Sequence, residues 1–203
     1  MAKDEAFDMV SGFVIDPMHL LCKNAMGRFL DFISGDMVGQ KRVITIQKFN
    51  DIGKRYSKNR FPVEFHRQPR TFDQLAHFKC SEMRMLLLYG FEMFVSQILN
   101  ESMTKMAVCL SAATRIISDR NLCQNRAMIR KADQLFGKFV KLGEEAFKVH
   151  FVTLNIHMLT HLVDDTLEFK EPVDERSCFK FENALKSIKA LCKGYKKPML
   201  ALS

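Results

Sequence analysis

The sequence predicts a mainly α-helical protein: six or seven helices with at most one or two short strands. Three observations carry this. Apolar residues return every three or four positions through most of the chain, the period of a helix with one buried face. The core-forming complement is 18 Phe and 13 Met with 3 Tyr and no Trp, a Phe/Met/Leu mixture suited to packed helices. Alternating strand–helix units are absent, which argues against a complete Rossmann or other doubly wound sheet. At 203 residues and 47% hydrophobic, the chain suits one domain spanning 1–203 and is too apolar for a disordered tail. It has no internal repeat, low-complexity tract or flexible linker.

The elements follow in order. Gly12 to Ile15 reads as a short strand. Asp16-Pro17 then opens a helix, with Asp as N-cap and Pro at the first helical position. Leu20, Leu21, Met26, Phe29, Leu30 and Ile33 form its apolar face, and Gly35 ends it. A second helix covers Thr45 to Ser57. Residues 54–70 follow as the most basic non-helical stretch, kept irregular by two prolines. Ser81 is the expected cap of a long helix through Leu99, apolar nearly all round at Met85 to Tyr89 and therefore central. Further helices are expected over Ser102–Ser118, Asn125–Phe147 and Phe151–Leu167, and, after a break at Glu171-Pro172, over Ser177–Lys193.

Thirty-one Lys and Arg against 23 Asp and Glu leave a formal charge of +8, which favours polyanionic partners, nucleic acid first. The shortage of Tyr and absence of Trp speak against a carbohydrate site. No apolar run is long enough to span a bilayer, and MAKDEAFD is too acidic for a secretory signal. An intracellular protein with no membrane role is expected. The six cysteines form no close pair, so they read as reduced, buried thiols rather than a zinc ribbon.

Four constellations could carry chemistry. Asp16 and His19 sit three apart at a helix start, either a catalytic acid with a supporting imidazole or a cap beside a chance histidine. His157 and His161 have i, i+4 metal-ligand spacing, but Met158 stands where a zinc hydrolase needs its glutamate, so packing is the better reading. Glu182 falls in the first turn of the last helix, where the macrodipole favours its ionised form, as a metal ligand or as an ordinary first-turn acid. Two basic clusters complete the set: Lys54, Arg55, Lys58, Arg60, Arg67 and Arg70, and then Lys186, Lys189, Lys193 and Lys197 at helical spacing. Either a solvated surface or a phosphate-contacting one has this composition. Walker A, GxGxxG and GxSxG motifs are absent, and no small-molecule substrate is indicated.

Five blocks, taken together and in order, resemble the C-terminal part of CACTA (En/Spm)-like DDE transposases of invertebrate genomes. DPMHLLCKNAMGRFL is similar to the family's D-x-M-H segment. RFPVEFHRQPRTFDQLAHFKCSEMRMLLLYG resembles its Arg-rich stretch and K-x-x-E-x-R helix. AATRIISDRNL resembles the end of its next helix, NIHMLTHLVDDTLEF its N-x-H-x-L-x-H-L-x-D-D block, and SCFKFENALKSIKALCKGYKKPM its F-E-N block with a basic tail. Where the family tends to carry Trp ahead of the K-x-x-E helix, this chain has Phe78.

The resemblance implies an RNase H-like transposase interrupted by a helical insertion, with carboxylates holding two Mg²⁺ or Mn²⁺ ions. On it, Asp16, His19 and Glu182 are the catalytic candidates, with Asp16 and Glu182 as metal ligands. Residues 12–35 would be the D-x-x-H element and its helix, 36–70 a basic linker region, 71–167 the insertion-like bundle, and 172–203 the F-E-N helix and basic tail. Only 15 residues precede Asp16, too few for the strands that carry the earlier acids. The expectation is thus a truncated, nuclear, transposase-derived protein with non-specific DNA affinity, holding no metal by itself and inactive alone. The alternatives are a helical protein-interaction module, with a homo-oligomer among its forms, and a metal-dependent nuclease built from Asp16, His157, His161 and Glu182.

Overall fold

The computed structural model describes residues 14–35, 41–62, 67–91, 99–148 and 150–191. Among them the chain is mainly helical and contains no strand. Of the short strand expected at 12–15, Gly12 and Phe13 lie outside the described residues, and Val14 and Ile15 form no ladder. The Ile15 N–H is instead met by Asp165 Oδ2 at 2.9 Å.

The first helical element begins at Pro17 as a π-helical segment, Met18–Met26, and passes directly into α1, Gly27–Ser34. Asp16 caps it: Oδ1 accepts the Met18 N–H and Oδ2 the His19 N–H, both at 3.2 Å. Gly35 ends it at φ +71°, a left-handed conformation that glycine adopts without strain. Next come α2, Ile46–Ser57, capped by Thr45, and a 3₁₀ turn, Phe72–His77. Then α3, Cys80–Met85, runs on into a π turn, Leu86–Gly90. It starts two residues earlier than expected, with Lys79 rather than Ser81 as its cap, because the Glu82 carboxylate reaches back to the Lys79 N–H at 2.9 Å. The remainder of the expected helix, 92–98, lies outside the described residues.

Helices α4, Glu101–Ser118, and α5, Arg126–Phe147, form the central pair. Both start on asparagine caps: Asn100 Oδ1 accepts from Met103 N and Asn125 Oδ1 from Ala127 N, each at 2.9 Å. Each cap satisfies amide groups that the first turn leaves without a helical partner. The expected helix over 151–167 is broken into α6, Leu154–His157, a 3₁₀ turn, and α7, Leu162–Phe169. After the 3₁₀ turn Val173–Arg176 comes α8, Phe179–Leu191.

The buried side chains form one continuous cluster. Phe29, Phe91, Phe139, Phe151, Phe32 and Phe147 make a chain of edge-on and tilted ring contacts with centroids 4.8 to 6.2 Å apart. Tilted and edge-to-face rings satisfy the aromatic quadrupole as well as filling space. Gly143 on α5 is required here, because a Cβ would lie 2.2 Å from the Phe151 ring. The widened π turn is satisfied from α4: Ser111 Oγ donates to the Leu87 carbonyl at 2.9 Å, and Arg115 Nε to that of Leu88 at 2.9 Å. These bonds supply partners for buried carbonyls whose helical ladder is irregular. Helix α8 meets the core only through its first residue, Phe179. Every residue from Lys180 to Leu191 is exposed.

Candidate functional site

A groove of 1860 Å³ runs between the start of the first helical element, the segment around α3, and α8. It brings together the two ends of the described chain. Asp16 sits at the helix start, fixed by its capping role, and the backbone N–H of Cys178 donates to Asp16 Oδ1 at 3.0 Å. His19 Nδ1 also contacts Asp16 Oδ2. An ionised carboxylate only accepts, so the ring nitrogen carries the proton in that contact. Burial opposes charge on Asp16, but the Cys178 N–H, the His19 ring, and the His19 and Met18 N–H groups outweigh it. They hold its carboxyl below the usual aspartate value.

Glu182, from the first turns of α8, lines the same groove as His19. Its charge reaches Cys178 and Cys80, as does that of Asp16. Both thiols are pushed up, first by burial and then by these carboxylates. Asp16 and His19 are in contact, and Glu182 lines the groove with His19, but Asp16 does not line the groove and Glu182 is not among the ligand atoms clustered around it. Asp16, His19 and Cys178 each offer a ligand atom, all within 4.8 Å of one another.

His157 and His161 lie outside this group. Their Nε2 atoms are 3.3 Å apart, although α6 ends at His157 and the chain turns before α7. His161 Nδ1 is 3.7 Å from Asp164 Oδ2. Both rings are exposed and meet each other edge-on, with centroids 5.1 Å apart.

The basic residues divide into separate roles. Lys54, Arg55, Lys58 and Arg60 cluster at the exposed C-terminal end of α2 and just beyond it. Arg67, Lys186 and Lys189 line the groove, together with Lys23 and Lys79. Lys193 and Lys197 lie outside the described residues. Arg70 is engaged inward: Nε and Nη2 each meet a Glu82 carboxylate oxygen at 2.7 Å, and Nη2 also donates to the His77 carbonyl at 2.6 Å. The Glu82 side chain is only 2% exposed. Although burial opposes it, Arg70 and the Lys79 N–H hold its carboxyl below the usual glutamate range. Arg84 is likewise paired with Asp174. Glu82 entered the sequence reading only as the acid of the K-x-x-E-x-R resemblance, with no role of its own, and Asp174 lies 90 residues from its arginine.

The donor set around Asp16 does not suit a pair of hard Mg²⁺ or Mn²⁺ ions, which need several carboxylate oxygens. Beside Asp16 stand an imidazole and a thiol, and two other acids of the groove, Glu82 and Asp174, are held by arginines.

Comparisons with protein-family models, with curated proteins and with solved structures found no match. The fold and site define a mainly helical protein in which residues from the two ends of the described chain line a groove carrying both basic and acidic side chains. No helix among the described residues is long and apolar enough to cross a membrane.

Proposed function

We propose that the chain is a transposase-derived protein of the CACTA DDE type that binds DNA through this groove, without sequence preference and without cleaving it alone. One observation carries the reading. The D-x-x-H and F-E-N elements, from opposite ends of the described chain, share a groove whose walls carry Lys23, Arg67, Lys79, Lys186 and Lys189. Lysine and arginine along a groove attract the phosphate backbone and release its counterions, giving affinity that is independent of sequence. The exposed end of α2 extends the same charge. A nuclear location follows from a DNA partner.

Cleavage requires metal-bound water or hydroxyl held by several acids. Asp16 already accepts from two backbone amides of its own helix, the Cys178 amide and the His19 ring. The test is binding of two unrelated fluorescent duplexes, followed by plasmid nicking with Mg²⁺ or Mn²⁺. Equal affinity for the two duplexes, lost at high salt, with intact plasmid, is the expected result. Metal-dependent nicking would restore the nuclease reading.

A second reading, the helical interaction module, is favoured by α8. Phe181, Leu185, Ile188 and Leu191 are 68%, 63%, 44% and 63% exposed at helical spacing, an uncovered stripe of the kind that docks partners. A homodimer by light scattering, with no DNA binding, would favour that reading over the first.

A further inference from the structure

The cluster that joins the two ends of the described chain has a ligand set of its own. Asp16 brings a carboxylate oxygen, His19 an imidazole nitrogen and Cys178 a sulfur, mutually within 4.8 Å. We propose that Asp16, His19 and Cys178 form a single-ion site for a thiophilic divalent cation of the zinc class, acting as a clip between the start of the first helix and the start of α8.

Three arguments support this. The ligand types are those of Zn²⁺ and its neighbours, and three protein ligands leave one tetrahedral position for water. The geometry is built by backbone, not by loose side chains. Asp16 is fixed as the cap of its helix, and the Cys178 amide is anchored on Asp16 Oδ1 at 3.0 Å, so two ligands from distant sequence are held in register. Finally, the His19 ring nitrogen already meets Asp16 Oδ2, and the Cys178 sulfur lies within 4.8 Å of both ligand atoms. An ion among the three replaces these contacts and leaves the bonds from the Met18, His19 and Cys178 amides intact. On binding, the Cys178 thiol gives up its proton to solvent, and the His19 ring presents its Nδ1 without a proton. No electron is transferred.

This site differs from the two-ion Mg²⁺ or Mn²⁺ centre that the family resemblance implies, and it does not depend on DNA binding. Its test is titration of the full chain, fully reduced and free of DNA, with Co²⁺ followed by displacement with Zn²⁺. One Co²⁺ per chain, with a thiolate-to-metal charge-transfer band and tetrahedral visible absorption, is expected, and one equivalent of Zn²⁺ should erase both. Cys178→Ser should abolish the band, whereas Cys123→Ser, a buried thiol elsewhere, should keep it. His19→Ala, at a half-exposed position, should weaken affinity at least tenfold with unchanged circular dichroism, which keeps the test valid should Cys178→Ser fold poorly. A band that survives Cys178→Ser, an affinity unmoved by His19→Ala, or the lack of any thiolate band in the wild-type chain would overturn the proposal.

Discussion

Replacing Arg70 by alanine separates two roles that an arginine in a basic stretch can have. In the structure its guanidinium grips Glu82 with two bonds of 2.7 Å, donates to the His77 carbonyl, and lies 5.2 Å from the centre of the Phe78 ring. Arg70→Ala leaves the Glu82 carboxylate buried with the Lys79 N–H as its remaining partner. Breaking a buried ion pair from one side costs about 3–5 kcal/mol. The Arg70 side chain is 29% exposed, and water screening moves the cost toward about 2 kcal/mol. The ring contact adds about 0.5 kcal/mol and the carbonyl bond about 1 kcal/mol. A loss of about 3.5 kcal/mol in urea unfolding is therefore expected, against less than about 0.5 kcal/mol for the exposed Arg67→Ala. A double-mutant cycle with Glu82→Gln should return a coupling of about 1–2 kcal/mol. DNA affinity per folded molecule should fall for Arg67→Ala and hold for Arg70→Ala. An Arg70→Ala protein of wild-type stability that loses DNA binding would refute this reasoning.

Other outcomes follow from the same structure. Gly143→Ala places a methyl 2.2 Å from the Phe151 ring, and should cost about 1–3 kcal/mol by overpacking, read as a lower Tm. Asn125→Ala removes the cap of α5 and should cost about 1 kcal/mol in urea unfolding. Glu82 and Asp16 both have carboxyls held below their usual values, so the unfolded chain takes up protons first as pH falls. Their contribution is full above the unfolded carboxylate range and is lost as pH drops through the folded values. Urea midpoints taken through the acid range should show this decline, and Glu82→Gln should flatten part of it. Leu185→Lys with Ile188→Lys should leave Tm unchanged, because both side chains are exposed, and light scattering should show a monomer even if the wild type dimerises.

Where local signals carried the information, the fold was legible in the sequence. Asp16 before Pro17, Thr45 and Asn125 mark helix starts because their side-chain oxygens take first-turn amides, a property of neighbouring residues only. The π-helical stretches over Met18–Met26 and Leu86–Gly90 left no such mark. In the second of these, tertiary partners from Ser111 and Arg115 meet carbonyls of the irregular ladder, which a periodicity reading of one segment does not include. The break before α7 was missed because apolar residues continue through it from Ile156 to Val163. At the candidate site, Asp16, His19 and Glu182 were named from spacing and resemblance. Cys178 was not, since its partners lie at the far end of the chain and no second cysteine stands near it. Arg70 was read as a DNA contact because its neighbours are basic, whereas its partner Glu82 belongs to the next helix.

The groove-centred account stands or falls on the salt dependence of DNA binding with and without the α8 lysines. Fluorescence anisotropy of a labelled duplex across a salt series gives log K against log salt, whose slope is about −0.9 for each phosphate neutralised. The wild-type chain should show a slope steeper than about −3, and the double variant Lys186→Glu with Lys189→Glu should make it shallower by about 2, with helical content unchanged. A wild-type protein that does not bind DNA, or a slope that the double variant leaves untouched, would contradict the account.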